Sequence, residues 1–157
     1  MKLPRRRRLE RKTDYQKRLA LLKSETPRLV IRRTNRYILM QIVESDLAQD
    51  KIILSVDSKE LLALGWPEQN MGSLKGREAA YLTGLLIAKK AKSKFKSLIL
   101  DMGMQRNVHK SRIYAALKGA IDGGLEVPCD AKALPSQERI ESNSKLSSIF
   151  KKVKGAI

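Results

Sequence analysis

Apolar residues show no periodic pattern over residues 1–12, recur at helical spacing just beyond, crowd into short runs, and return to helical spacing through most of the second half. The first twelve residues offer no stripe that could face a core, so they are expected to be disordered until a partner fixes them. Thr13 and Gln16 then match a capping box, with Tyr15, Leu19 and Leu22 at i, i+4 and i+7. This predicts a short amphipathic helix ending before Pro27. Residues 28–33, 36–44 and 51–56 are short and rich in Val, Ile and Leu, and turn-compatible Thr34-Asn35 and 45–50 separate them. They predict an antiparallel meander.

Asp57 and Glu60 resemble a helix start, and Leu61, Leu62 and Leu64 run up to a stop at Gly65. Residues 65–72, with Trp66-Pro67 and Asn70, are expected to form a loop. Ser73 is expected to cap a helix reaching about Lys92, whose Ala79, Ala80, Gly84, Ala88 and Ala91 would let it lie close to a sheet. The continuous apolar run 97–102 suits a buried strand joined after that helical crossover. A polar loop leads to a helix over 111–122 closed by Gly123-Gly124. Pro128 and Pro135 bracket an extended segment, and Ser136 opens a final helical region. The expected fold class is α/β, a small mixed sheet packed with helices. It divides into a basic tail at 1–12, a core at 13–130 and a helical extension at 131–157.

Composition sharpens this picture in two ways. Hydrophobic residues make up 42% of 157, but Phe, Trp and Tyr are few, so aliphatic side chains must fill the core. The single Cys129 excludes an internal disulfide and a cysteine-based zinc site; a buried small side chain is its expected state. No apolar run approaches the roughly 18 to 20 residues that span a bilayer, and no apolar stretch of a secretory signal follows the basic start. The pattern reads as soluble and intracellular.

Charge changes the picture most. The formal net charge is +17, and it is localised: residues 1–36 and 89–118 are strongly basic, whereas 37–88 are slightly acidic. Self-repulsion on this scale is relieved by a polyanion, which points to nucleic acid. A membrane surface is disfavoured because residues 5–8 have no bulky apolar face. Arg5, Arg6, Arg7, Arg8, Arg11 and Lys12 form the first tract, and Lys17 and Arg18 carry it onto the first helix. The first hairpin places Arg32, Arg33 and Arg36 around a polar tip containing Asn35, so three guanidinium groups are expected at one edge of the sheet. Tyr37 either stacks on a base or faces the core. Arg106, His109, Lys110 and Arg112 surround the start of the 111–122 helix, where unpaired N–H groups favour a phosphate.

Material for catalysis is thin. His109 is the sole histidine, and Asp101 is the one carboxylate obviously placed at a strand end, with Asp57 and Glu78 distant. A metal-dependent nuclease needs several converging carboxylates, so Asp101 is expected to brace a turn. Residues 72–76 lack the Lys-Ser/Thr of a phosphate-binding loop. No metal or cofactor is expected. A non-specific nucleic-acid compactor is the other alternative to specific RNA binding. Leu146, Ile149, Phe150 and Val153 form an apolar stripe flanked by lysines, suited to anchoring RNA or a neighbouring protein, or to docking on the chain's own core.

Several words in order, RRRRLERKTDYQKRLALLKS, PRLVIRRTNRYILMQIVE, SKELLALGW, AAYLTGLLIAKKA, LILDMGMQR, SRIYAALKGAIDGGLEVP and LPSQERI, cover most of residues 5–140. Together they resemble the universal large-subunit ribosomal protein family that binds 5S ribosomal RNA, in its archaeal and eukaryotic version. The resemblance implies an α/β sandwich, no enzymatic activity, and assembly with 5S rRNA in the central protuberance of a cytoplasmic ribosome. It selects residues 5–8, Arg11, Lys12, Arg28, Arg32, Arg33 and Arg36 as RNA contacts. Large-subunit rRNA and neighbouring ribosomal proteins are implied as further partners. The loop NVHKSR at 107–112 and the chain beyond Ile140 depart from the family pattern.

Overall fold

A computed structural model describes residues 3–46, 49–91, 94, 95 and 97–157. Helix α1 spans Arg6–Leu9 and α2 spans Tyr15–Leu22. Strands β1 Arg28–Arg33, β2 Ile38–Asp46 and β3 Gln49–Asp57 then form the meander. Helix α3, Glu60–Ala63, a 3-10 segment Glu68–Ser73, and α4, Arg77–Ala91, lead to β4, Ile99–Asp101. The chain finishes with α5 Arg112–Asp122, a 3-10 turn Ala131–Ala133, α6 Gln137–Ile140 and α7 Ser144–Ala156.

Among the described residues, the strands form one mixed sheet in the order β3-β2-β1-β4. β1 pairs antiparallel with β2 and parallel with β4, as expected for a strand returning through a helical crossover. Alternation along the strands sends Leu29, Ile31, Ile38, Met40, Ile42 and Val56 to one face, where all are buried under α4 and α5. A second apolar cluster lies on the far side of α4 and joins Leu61, Trp66, Leu74 and Leu82 to Ile140, Leu146, Phe150 and Val153. Helix α4 is therefore packed on several sides, which explains why even its Thr83 and Glu78 are buried.

The small residues of α4 serve a helix crossing as well as the sheet. Gly84 meets α5 so closely that a Cβ there would fall 2.1 Å from the Ala116 carbonyl oxygen, and one on Gly119 would fall 2.0 Å from that of Tyr81. The expectation of small residues packed on a sheet thus accounts for only part of their role. α7 docks on the chain's own core, which resolves the two roles open for its stripe.

Other local expectations are corrected. Asp14, not Thr13, caps α2, with Oδ1 accepting from the amides of Gln16 and Lys17. Leu19 is exposed, so α2 buries less of its stripe than its spacing suggests. Ser73 belongs to the 3-10 segment and its hydroxyl donates to the Asn70 carbonyl; α4 begins at Arg77. The loop expected at 65–72 winds into that segment, with Trp66 in the core. β4 is shorter than the apolar run, and Ile99 and Leu100 are only partly buried because the strand forms a sheet edge. Ser45, Asp46, Gln49 and Asp50 pair as strand rather than turn, while Leu47, Ala48 and Lys92 lie outside the described residues. Cys129 is half-buried, and burial together with the neighbouring Asp130 pushes its thiol above the ordinary range.

Candidate nucleic-acid interface

Residues 6–9 form one helical turn with no buried side chain, where no regular structure was expected. Local bonds hold it: Arg6 pairs with Glu10 at 2.8 Å, Lys12 reaches the same carboxylate, and Arg7 Nε donates to Thr13 Oγ1 at 2.9 Å. The hydrogen bonds from Lys12 and Arg6 hold the Glu10 carboxyl below its ordinary range. Arg5 stacks on Tyr15 at 4.7 Å from the ring centroid. The arm therefore leaves α2 with a defined direction, and Arg8 and Arg11 stay exposed on it.

Beneath the arm, on the sheet face opposite the core, lies an alternating network of charges. Arg28 is 3% exposed, and donates from Nη1 to Asp101 Oδ2 at 3.1 Å and from Nη2 to Asp50 Oδ1 and Ser45 Oγ, both at 2.8 Å. Arg32 Nη2 reaches Asp101 Oδ1 at 3.0 Å, and its Nη1 donates to the Asp101 carbonyl at 2.6 Å. Arg18 closes the chain of pairs on Asp50 Oδ2 at 2.8 Å, which ties α2 to the sheet. Burial alone would raise the Asp50 pKa, but bonds from Ser45 and Arg18 and the charge of Arg28 outweigh it and hold the carboxyl below its ordinary value.

Arg28, expected as an RNA contact, lies enclosed within this network. A guanidinium so enclosed and bound to two carboxylates is an internal brace, because a buried charge is tolerable only when paired. Arg32 keeps 34% of its side chain exposed but is likewise committed to Asp101. Nor do the hairpin arginines share one edge. Consecutive strand residues point to opposite faces, so Arg32 joins the network, Arg33 projects on the helix side, and Arg36 stands at the tip beside Asn35 and Lys75. Tyr37 is half-buried against the second core cluster with Lys59 4.3 Å from its ring centroid, so that face is covered.

Asp101 has the bracing role expected of it. Its Oδ1 also accepts from the Gly103 amide at 2.7 Å, across a turn in which Gly103 has φ +60, the left-handed region glycine enters without strain. Among the described residues no group of His, Cys, Asp and Glu could hold a metal ion.

The arm, α2, Arg32 and the loop after β4 enclose a cleft of about 680 Å³. Arg7, Lys12, Lys17, Arg18, Arg32 and Arg106, from four parts of the chain, converge on it with Asp14 and Asp101. A second cleft of about 840 Å³ opens on the other side of that loop, where His109, Lys110 and Arg112 meet Arg33 and Arg106. Arg77 and Arg139 line it too. Sequence reading missed both, because their runs carry no local excess of charge and only the packing of α4 and α6 brings them to α5. Ser111 stands at the N-cap of α5 without a side-chain cap bond, so the helix start faces this cleft uncapped. No described helix is long and apolar enough to cross a membrane.

A braced mixed sheet, a basic arm and two cation-lined clefts define an α/β protein whose surface charge is gathered on two sides of one loop. The family model described as ribosomal large subunit proteins 60S L5 and 50S L18 matches residues 1–98 and 90–130, and the chain belongs to that family. It is similar to the large ribosomal subunit protein uL18 of Methanoregula boonei, 44% identical over 94% of this chain and 87% of that protein. The uL18 proteins of Korarchaeum cryptofilum and Methanococcoides burtonii are 49% and 41% identical, covering 86% and 97% of this chain and 68% and 91% of theirs. The chain is accordingly a structural, non-enzymatic constituent of the large ribosomal subunit, acting in translation and located on the ribosome.

Proposed function

We propose that the chain binds 5S rRNA through the arm-side cleft and helps attach it to the large-subunit rRNA and neighbouring proteins of the central protuberance. One observation carries the reading: cations from the arm, α2, the sheet and the 103–107 loop converge on a single cleft, where Asp50 and Asp101 hold Arg18 and Arg32 in place. A-form RNA hides its base edges in a narrow major groove, so fixed cations matched to phosphates and exposed loops suit its recognition. Residues 5–8, Arg11, Lys12, Lys17 and Arg106 make direct contacts in this reading, with Arg36 and Asn35 at the hairpin tip. Arg18 and Arg32 contribute the charge left outside their ion pairs. Residues 1–12 act as the tail, 13–130 as the RNA-binding core, and 131–157 as an extension that steadies it.

Binding of the full chain to 5S rRNA and to an unrelated hairpin RNA, compared over a salt series, tests this. Preference for 5S rRNA should persist as salt weakens both complexes. Equal affinity at every salt concentration would leave a general nucleic-acid compactor.

A further inference from the structure

The second cleft holds more positive charge than the protein neutralises. Arg33 at the end of β1, Arg106 and Lys110 in the loop, Arg112 on α5, Arg77 on α4 and Arg139 on α6 face one space. Among the described residues, none of these six lies within 4 Å of a carboxylate oxygen. Arg77 spends one nitrogen on the Ser142 hydroxyl at 3.2 Å. Glu78 is the one carboxylate of the lining, and it is buried. The arm-side cleft contrasts sharply, since Lys12, Arg18 and Arg32 there are each paired.

Two further features bear on how the cleft is built. Ser111 Oγ is shielded from solvent and meets no hydrogen-bond partner, at the N-cap of a helix whose first amides lack a side-chain cap. The loop bearing the cations is also held in place. The Lys110 amide donates to the Ala133 carbonyl at 2.8 Å, Tyr114 Oη to Asn107 Oδ1 at 2.7 Å, and Gln105 Nε2 to the Arg33 carbonyl at 3.3 Å. Pre-positioned donors lose little freedom when a ligand arrives.

We infer that this cleft is a second RNA-backbone site, separate from the arm side, in which Arg77 and Arg139 contact phosphodiester oxygens together with the α5 start. The inference rests on the chain being an RNA-binding ribosomal protein and adds to it a place and two residues. Phosphodiesters fit better than an acidic protein segment because the lining is dominated by guanidinium, hydroxyl and amide donors, with Val108 and Ile113 its apolar members. A peptide would bring side chains in need of apolar pockets. Gln105 and Arg106 line both clefts, so their loop is a ridge with an RNA surface on either side.

Arginine footprinting of the full chain with phenylglyoxal, read by mass spectrometry, tests the site without any substitution. Four probes are compared: 5S rRNA, deproteinised large-subunit rRNA, inorganic phosphate at equal phosphate concentration, and polyglutamate. Reactivity at Arg77 and Arg139 should fall severalfold with one of the two rRNAs and not with inorganic phosphate or polyglutamate. Continued reactivity with both rRNAs overturns the site. Equal protection by inorganic phosphate reduces it to a simple anion site, and equal protection by polyglutamate reassigns it to an acidic protein; either result overturns the RNA assignment. The same digest reports residues 5–8 separately, so loss of their protection by 5S rRNA would defeat the proposed function while leaving this inference standing. As a second measurement, Arg77→Gln with Arg139→Gln should reduce the salt-dependence slope by roughly two phosphate contacts, or about 1.4 to 1.8.

Discussion

Arg28 and Asp101 are 73 residues apart, yet their side chains meet at 3.1 Å beneath the sheet, each almost wholly enclosed. The pair joins β1 to β4 where the two strands run parallel, and Asp50 and Arg32 extend it in both directions. Such a pair is poor evidence for net stabilisation, since desolvating both charges offsets their attraction. Its value here is positional, for it fixes the strand edge from which the basic loop departs.

Removing one partner should therefore be costly. Asp101→Ala leaves Arg28 buried with only Asp50 and Ser45 to answer it, and also releases Arg32 and the Gly103 amide. A loss of about 3–5 kcal/mol in unfolding free energy by urea titration is expected. An unchanged midpoint would show that the network is ornamental.

Acid should act on the same network through Asp50. Its folded pKa lies below the ordinary value of 3.8, so its contribution is present above that value and is lost as pH falls through the folded one. Urea midpoints measured downward from pH 5 should fall more steeply for the native chain than for Asp50→Asn. Parallel curves would mean that Arg18 and Arg28 do not favour the ionised carboxylate.

The α4–α5 crossing makes a prediction about packing. A methyl group at Gly84 or Gly119 meets a backbone carbonyl oxygen, which cannot swing aside as a side chain can. Either Gly→Ala substitution should cost about 1–3 kcal/mol despite alanine's better helix propensity. Thermal unfolding of the two single variants would check this, with a neutral result arguing that the helices separate easily.

Much of this fold was legible because strand and helix periods differ clearly. The meander, the crossover helix and the returning strand follow from runs such as 28–33 and from the glycine stop at Gly65. The basic loop before α5 was legible as charge alone. What stayed hidden depended on pairing across long sequence separations. Arg28 and Arg33 look equivalent in the sequence, yet register with β2 and β4 sends one into an ion-pair network and the other to a cleft. Arg77 and Arg139 are unremarkable in their own segments and acquire meaning only through packing around α5. Residues 6–9 adopt a turn because Arg6 and Glu10 can pair at i, i+4, a local bond that apolar periodicity does not register.

The loop ridge supplies the last prediction. Arg106 is exposed, has no ion-pair partner among the described residues, and lines both clefts, whereas Arg18 and Arg32 brace the structure as well as carrying charge. Arg106→Ala should leave the urea midpoint unchanged within about 0.5 kcal/mol, as expected for an exposed site away from packing. Its affinity for 5S rRNA should nevertheless drop, with the salt-dependence slope reduced by about 1. Arg32→Ala should lower both stability and affinity, because it breaks the bond to Asp101 and removes a cation at once. Finding that Arg106→Ala binds 5S rRNA with native affinity and slope would place the RNA elsewhere on the arm and empty the arm-side cleft of its assigned role.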